Sequence, residues 1–125
     1  MNILYYCPVA DSDFSKINRI IEVMVPVKKF ETASSLKIME HHLLSSLSVD
    51  FVIILQVSDA AELQNIIEFK ELLLDYRIIM ILPDDDPDTT VVAHTLRPRL
   101  ITYKGGDLLD VAAVLSRMNF KPGNF

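Results

Sequence analysis

The sequence has one cysteine, three glycines and no tryptophan, and its apolar runs stop at five residues. Each shortage removes a class of protein. A single cysteine, Cys7, allows no internal disulfide and no multi-cysteine metal site within one chain. Three glycines, Gly105, Gly106 and Gly123, cannot supply the GxGxxG turn that cradles a dinucleotide. Runs of five, such as Phe51 to Leu55, fall far short of the roughly 20 residues that cross a bilayer, so no membrane span is expected. The histidines, His41, His42 and His94, lack the spacing of a metal motif, and neither a metal nor a cofactor is expected. Basic residues are in the minority too, twelve against seventeen acidic for a formal charge of -5, with Lys28 and Lys29 the only adjacent pair. Such a balance repels a phosphate backbone, so no nucleic-acid partner is expected. The opening MNILYYCPVADSD has no basic leader and turns acidic, which points to the cytoplasm rather than export.

What is present suits one core. A chain of 125 residues, 50% of them hydrophobic, is the size of a single domain, placed here at 1–120 with a frayed or linker-like tail at 121–125. No repeat or low-complexity tract interrupts it. Short apolar runs alternate with amphipathic ones. Ile3 to Tyr6 reads as a strand, followed by helix-start residues Asp11, Ser12 and Asp13 and an apolar stripe of Phe14, Ile17, Ile20, Ile21, Met24 and Val25. Pro26 closes that helix, Val27 to Glu31 reads as a second strand, and Ser34 or Ser35 opens a helix with Leu36, Met39, Leu43 and Leu47 on one face. Phe51 to Val57 and Ile78 to Leu82 lack alternation, the mark of strands covered on both faces. Between them, Asp59 begins a helix carrying Leu63, Ile66, Ile67, Leu73 and Leu74. A weaker helix around Thr89 to Leu96, a strand at Leu100 to Tyr103 and a helix from Asp107 to about Met118 complete the chain. Five strand-helix repeats imply right-handed crossovers and a doubly wound five-stranded parallel sheet, order 2-1-3-4-5, in an α/β three-layer sandwich. Function in that order gathers at the carboxyl ends of the strands.

Three segments carry a resemblance. VDFVIIL is similar to PDLVLLD, IIMILPDDDPD to an IIMLTA strand with its loop, and LITYKGGDLLDVAAVL to YLTKPFDPEELL, in the order and spacing of the receiver domain of two-component response regulators. The resemblance spans nearly the whole chain and implies a flavodoxin-like fold and a signalling role. A working receiver needs a carboxylate ending strand three to accept a phosphoryl group, and two acids after strand one to hold magnesium. Carried over, the acceptor falls on Leu55, or on Gln56 if the register slips by one; the acidic pair falls on Cys7 and Pro8; the hydroxyl residue ending strand four falls on Leu82 or Pro83. Only the lysine after strand five is kept, as Lys104, with Gly105 where the family has proline. The resemblance therefore implies a degenerate receiver, no enzyme, working through a protein partner or effector domain. A homodimer through the fourth helix, fifth strand and fifth helix is the family's precedent, and Thr95, Arg97, Arg99, Tyr103 and Arg117 are the contact residues it implies.

Other readings stay open beside this one. Asp11, Asp13 and Asp59 lie near the same rim, where they either rebuild a cation site or simply favour helix N-termini. Cys7 resembles the phosphocysteine of sugar-phosphotransferase B subunits and low-molecular-weight tyrosine phosphatases, which makes a phosphoryl-transfer enzyme with Cys7 as nucleophile the first alternative. Against it, CPVADSDF carries Pro8, Asp11 and Asp13 and no arginine. A regulatory rim that binds a small molecule is the second alternative. Asp84, Asp85, Asp86 and Asp88 lack the glycine and alternating ligands of a calcium loop and read as a solvated turn.

Overall fold

Unbroken apolar runs form the middle of the sheet. In the computed structural model, which describes residues 2–9, 12–25, 27–45, 51–106 and 108–120, strands β1 (Asn2–Tyr6), β2 (Lys29–Ala33), β3 (Phe51–Gln56), β4 (Arg77–Leu82) and β5 (Leu100–Tyr103) pair in parallel. Their order is β2-β1-β3-β4-β5, as the alternation of elements predicts. Every residue from Val52 to Gln56 and from Ile78 to Leu82 is buried, because helices cover both faces there. The edge strand β2 begins two residues later than expected, since Asn2 pairs with Lys29 and Tyr6 with Ala33. Its Ala33 is the residue turned into the core, and Lys29 and Phe30 are exposed.

The two-residue period of the strands sorts the core into two layers. Ile3, Tyr5, Cys7, Ile54 and Ile81 face helices α1 (Ser12–Met24) and α6 (Leu109–Phe120). Leu4, Tyr6, Ile53, Leu55 and Met80 face α2 (Leu36–Ser45), α3 (Ala60–Ile67), the short α4 (Lys70–Leu73) and α5 (Pro87–His94). Each fully buried Leu or Ile contributes roughly 1.5–3 kcal/mol of hydrophobic free energy, so the sheet interior dominates stability.

Local chemistry sets the helix starts. Ser35 Oγ accepts from the Ile38 amide at 3.2 Å, so it is Ser35 that opens α2. Asp59 caps α3 by accepting from the Glu62 amide at 2.8 Å, while Glu62 reaches back to the Ser58 amide at 2.9 Å. Asp86 caps α5, accepting from the Thr89 amide at 3.1 Å and its hydroxyl at 3.0 Å, and Asp84 Oδ1 accepts from the Asp86 amide. The acidic run is thus spent on a turn and a cap.

Two expectations fail. The helix from Asp59 to Leu74 is not continuous but breaks at Glu68 and Phe69 into α3 and α4. Past the break Leu73 is completely buried, while Leu74, expected on the apolar face with it, is 36% exposed. On α1, Ile17, Ile21 and Val25 are buried as the stripe predicts, yet Met24 is 53% exposed. Asp11, Pro26, Leu47, Asp107 and the 121–125 tail lie outside the described residues.

Candidate functional site

Parallel strands send their carboxyl ends to one rim, and the residues just beyond β1, β3, β4 and β5 enclose a cavity of about 90 Å³. Cys7, Pro8, Gln56, Ser58, Leu82 and Lys104 are among its walls. The structure therefore brings together five of the seven positions singled out in the sequence. It separates the other two: Leu55 is fully buried among Leu4, Tyr6 and Met80, and Pro83, half-buried, lies just past β4 and does not line the cavity.

Alternation explains the choice between Leu55 and Gln56. Tyr6 pairs with Leu55, and both enter the layer of α2 to α5, so the next residue, Gln56, turns to the opposite face with Tyr5. There Gln56 is 6% exposed, and its Oε1 accepts a hydrogen bond from the Tyr5 hydroxyl. Tyr5 was not foreseen as part of the rim. The alternation of β1, which puts Tyr5 and Cys7 on one face, is the signal that could have found it.

The cysteine is placed as a packing group. Cys7 is 5% exposed, its thiol donates to the Val9 carbonyl at 2.9 Å, and its amide donates to Ala33 across the β1–β2 ladder at 3.0 Å. Pro8 follows and has no amide proton to offer. A phosphate cradle relies on successive free amides, and two of the first that a loop here would supply are missing or used.

Around the cavity the polar groups are tied into the scaffold. The Tyr6 hydroxyl donates to Glu62 Oε2 at 3.0 Å, and burial, reinforced by the neighbouring Glu62 carboxylate, pushes the phenol well above its ordinary range. Glu62 in turn belongs to the α3 cap. Asp59 is spent on the same cap, and Asp13, on α1, is 5% exposed. Among the described residues, no group of three or more His, Cys, Asp or Glu side chains stands close enough to hold a metal ion. Lys104 is exposed at the cavity mouth, and its amide donates to the Leu82 carbonyl at 2.8 Å, extending the β4–β5 ladder. Gly105 follows at φ +81°, the left-handed turn that glycine adopts without strain, and a side chain at Gly106 would meet the Tyr103 carbonyl at 3.0 Å. Glycine at these positions fixes how β5 turns into α6.

The implied contact residues lie on and around α5, β5 and α6. Thr95, Arg97, Arg99 and Arg117 are exposed, while Tyr103 is half-buried against the layer of α2 to α5. Arg97 has φ 54°, a left-handed conformation uncommon for a side-chain-bearing residue, just after α5. No helix among the described residues is long and apolar enough to cross a membrane.

Comparison with known proteins agrees with this geometry. No family model matches the chain, and no curated protein does. Solved structures do match. The REC domain of RcsB from Salmonella enterica serovar Typhimurium, determined with the phosphomimetic BeF3-, superposes with a TM-score of 0.69 at 14% identity, covering 97% of this chain and 89% of that one. A CpaE2 pilus assembly protein from Sinorhizobium meliloti superposes with a TM-score of 0.68 at 13% identity, covering 94% of this chain and 99% of that one. A pilus assembly-related protein from Burkholderia pseudomallei gives a TM-score of 0.69 at 17% identity, covering 94% and 88%. The chain has the receiver, flavodoxin-like α/β fold.

Proposed function

We propose that the chain is a receiver-like signalling module that takes no phosphoryl group, catalyses no reaction and acts through contacts with a protein partner. One observation carries the reading: Gln56, a neutral amide engaged by the Tyr5 hydroxyl, stands at the rim where phosphoryl transfer would require a carboxylate. Its neighbours Cys7 and Pro8 supply no side-chain oxygen for a divalent ion, and Leu82 offers no hydroxyl. The acid groups near the rim, Asp59 and Glu62, are engaged in the α3 cap. The chain's formal charge of -5 favours a protein over a nucleic-acid partner.

The test is incubation with magnesium and acetyl phosphate, followed by intact mass and acid-lability measurements. The expected outcome is an unchanged mass. An acid-labile phosphoryl adduct on any carboxylate overturns the proposal, and an adduct on Cys7 lost in Cys7→Ser would replace it with the thiol-enzyme reading.

A further inference from the structure

A second opening shares no lining residue with the rim cavity. It is a groove of about 440 Å³ between α1 and the start of α6, beside the Gly105–Gly106 turn. Small-molecule sites run from roughly 300 to 1,000 Å³, with apolar walls and a few polar groups that orient the ligand. Here the apolar walls are Ile20, Val23, Met24, Leu108 and Leu109; Val23 is 74% exposed, and Met24 and Leu109 are each 53% exposed. Single exposed apolar side chains are ordinary, whereas several lining one groove form a patch that a ligand can cover.

The charged groups on the same wall say which kind of ligand. Lys16 and Arg19 line the groove and are exposed, and with Ile20, Val23 and Met24 they follow the i, i+3, i+4, i+7, i+8 spacing that places side chains on one helix face. Cations at one end of that face give way to apolar groups over the next two turns, and at about 1.5 Å of rise per residue Lys16 and Met24 stand about 12 Å apart along α1. That order suits a charged head followed by an apolar tail. Asp13, one turn before Lys16, lines the groove too and is 5% exposed. Among the described lining residues one formal positive charge is therefore in surplus, although the whole chain carries -5. A single negative charge is matched there, while a cation is not and a dianion exceeds it. A carboxylate is the monoanion that a guanidinium grips with two parallel N–H donors, which suits Arg19.

From this we infer that the groove is a binding site for a small amphiphilic carboxylate of the medium-chain fatty-acid kind, with its head at Lys16 and Arg19 and its tail against Val23, Met24 and Leu109. The inference goes beyond the reading of the chain as a protein-contact module and does not depend on it.

Isothermal titration of the full chain with decanoate, kept below its micelle concentration, tests it. The expected result is saturable binding of one decanoate per chain. Decanol, which has the tail without the charge, and decyltrimethylammonium, which has the opposite charge, are each expected to bind about tenfold more weakly or worse, and butyrate, which lacks the tail, to give no saturable heat. Arg19→Gln is expected to weaken decanoate about tenfold and to leave decanol unchanged. Val23→Asp, at an exposed position and checked for an intact fold by circular dichroism, is expected to weaken both, because it sets a carboxylate against the tail. Arg99→Gln, outside the groove, is expected to change neither. The absence of saturable decanoate heat overturns the inference and leaves the groove to a protein occupant. Decanol binding as tightly as decanoate overturns the ligand class, and decanoate binding that survives both Arg19→Gln and Val23→Asp overturns the site. None of these outcomes bears on the acetyl phosphate test, and a phosphoryl adduct would defeat the functional reading without touching the groove.

Discussion

The rim cavity and the α1/α6 groove have opposite character. The rim encloses about 90 Å³, and its buried polar groups are engaged: Gln56 by Tyr5, Cys7 by Val9, Glu62 by Tyr6 and the Ser58 amide. The groove encloses about 440 Å³ of largely apolar, open surface. In this fold chemistry is expected where strand ends converge, and here that place is filled by groups that hydrogen-bond to one another. The contrast teaches that the rim acts as a joint of the scaffold and that the helical face carries the exposed capacity for contact. Changes at the rim should therefore alter stability more than changes at the exposed groove.

The sharpest way to break that contrast is to restore a carboxylate at each of the two candidate acceptor positions. Leu55→Asp places a charge at a fully buried site among aliphatic neighbours and is expected to cost more than about 4 kcal/mol, enough to unfold a domain of this size. Gln56→Asp keeps a polar group at the rim, loses the reach to the Tyr5 hydroxyl, and is expected to cost about 1–3 kcal/mol. Urea melts of both variants measure the difference. Gln56→Asp is also expected to remain unlabelled by acetyl phosphate, because Cys7 and Pro8 still bring no carboxylate to a metal. Labelling of that variant would mean the rim is one substitution from a working site and would remove its standing as mere scaffold. Tyr5→Phe is the milder partner of this experiment: it strips the donor from a buried amide oxygen, and a loss of roughly 1–3 kcal/mol in the same melts is expected.

The sheet was legible because burial on both faces writes itself as unbroken Ile, Val and Leu in β3 and β4, which have no competing reading once helices flank them. Strand order followed from the alternation of elements. What stayed hidden was set by neighbours distant in sequence. The choice of Gln56 over Leu55 depends on the pairing of Tyr6 with Leu55, and the start of β2 depends on where β1 begins. The break at Phe69 carries no proline or glycine, so nothing local marks it, and the apolar spacing runs on through it to Leu73. At the site, residue types showed what the rim lacks, but Tyr5 as the partner of Gln56 required coordinates. Met24 was read as core from its spacing, and its exposure is what exposes the groove.

Caps test the scaffold at lower stakes. Asp59→Ala removes the acceptor for the Glu62 amide at the edge of the rim and is expected to cost about 1 kcal/mol in thermal or urea melts, with Asp59→Asn retaining most of it. A loss several times larger would mean that Asp59 holds the rim itself, through Glu62 and Tyr6, rather than one helix end.

The smallest expected effect lies away from both regions, on the edge strand. Lys29 Nζ stands 2.9 Å from Glu31 Oε1, and His42 Nδ1 lies 2.6 Å from Oε2, tying α2 to β2. The hydrogen bond from Lys29, with the His42 charge and the lysine charge adding to it against partial burial, holds the Glu31 carboxyl below its usual range. A folded-state value lower than the unfolded one means the contribution is complete above the ordinary carboxylate value of about 4.3 and is lost as pH falls through the lowered folded value. Glu31→Gln should therefore be less stable than the parent at neutral pH by a few tenths of a kcal/mol, as surface pairs go, and the gap should close in acid. Thermal midpoints of both chains from neutral pH to pH 3 measure it.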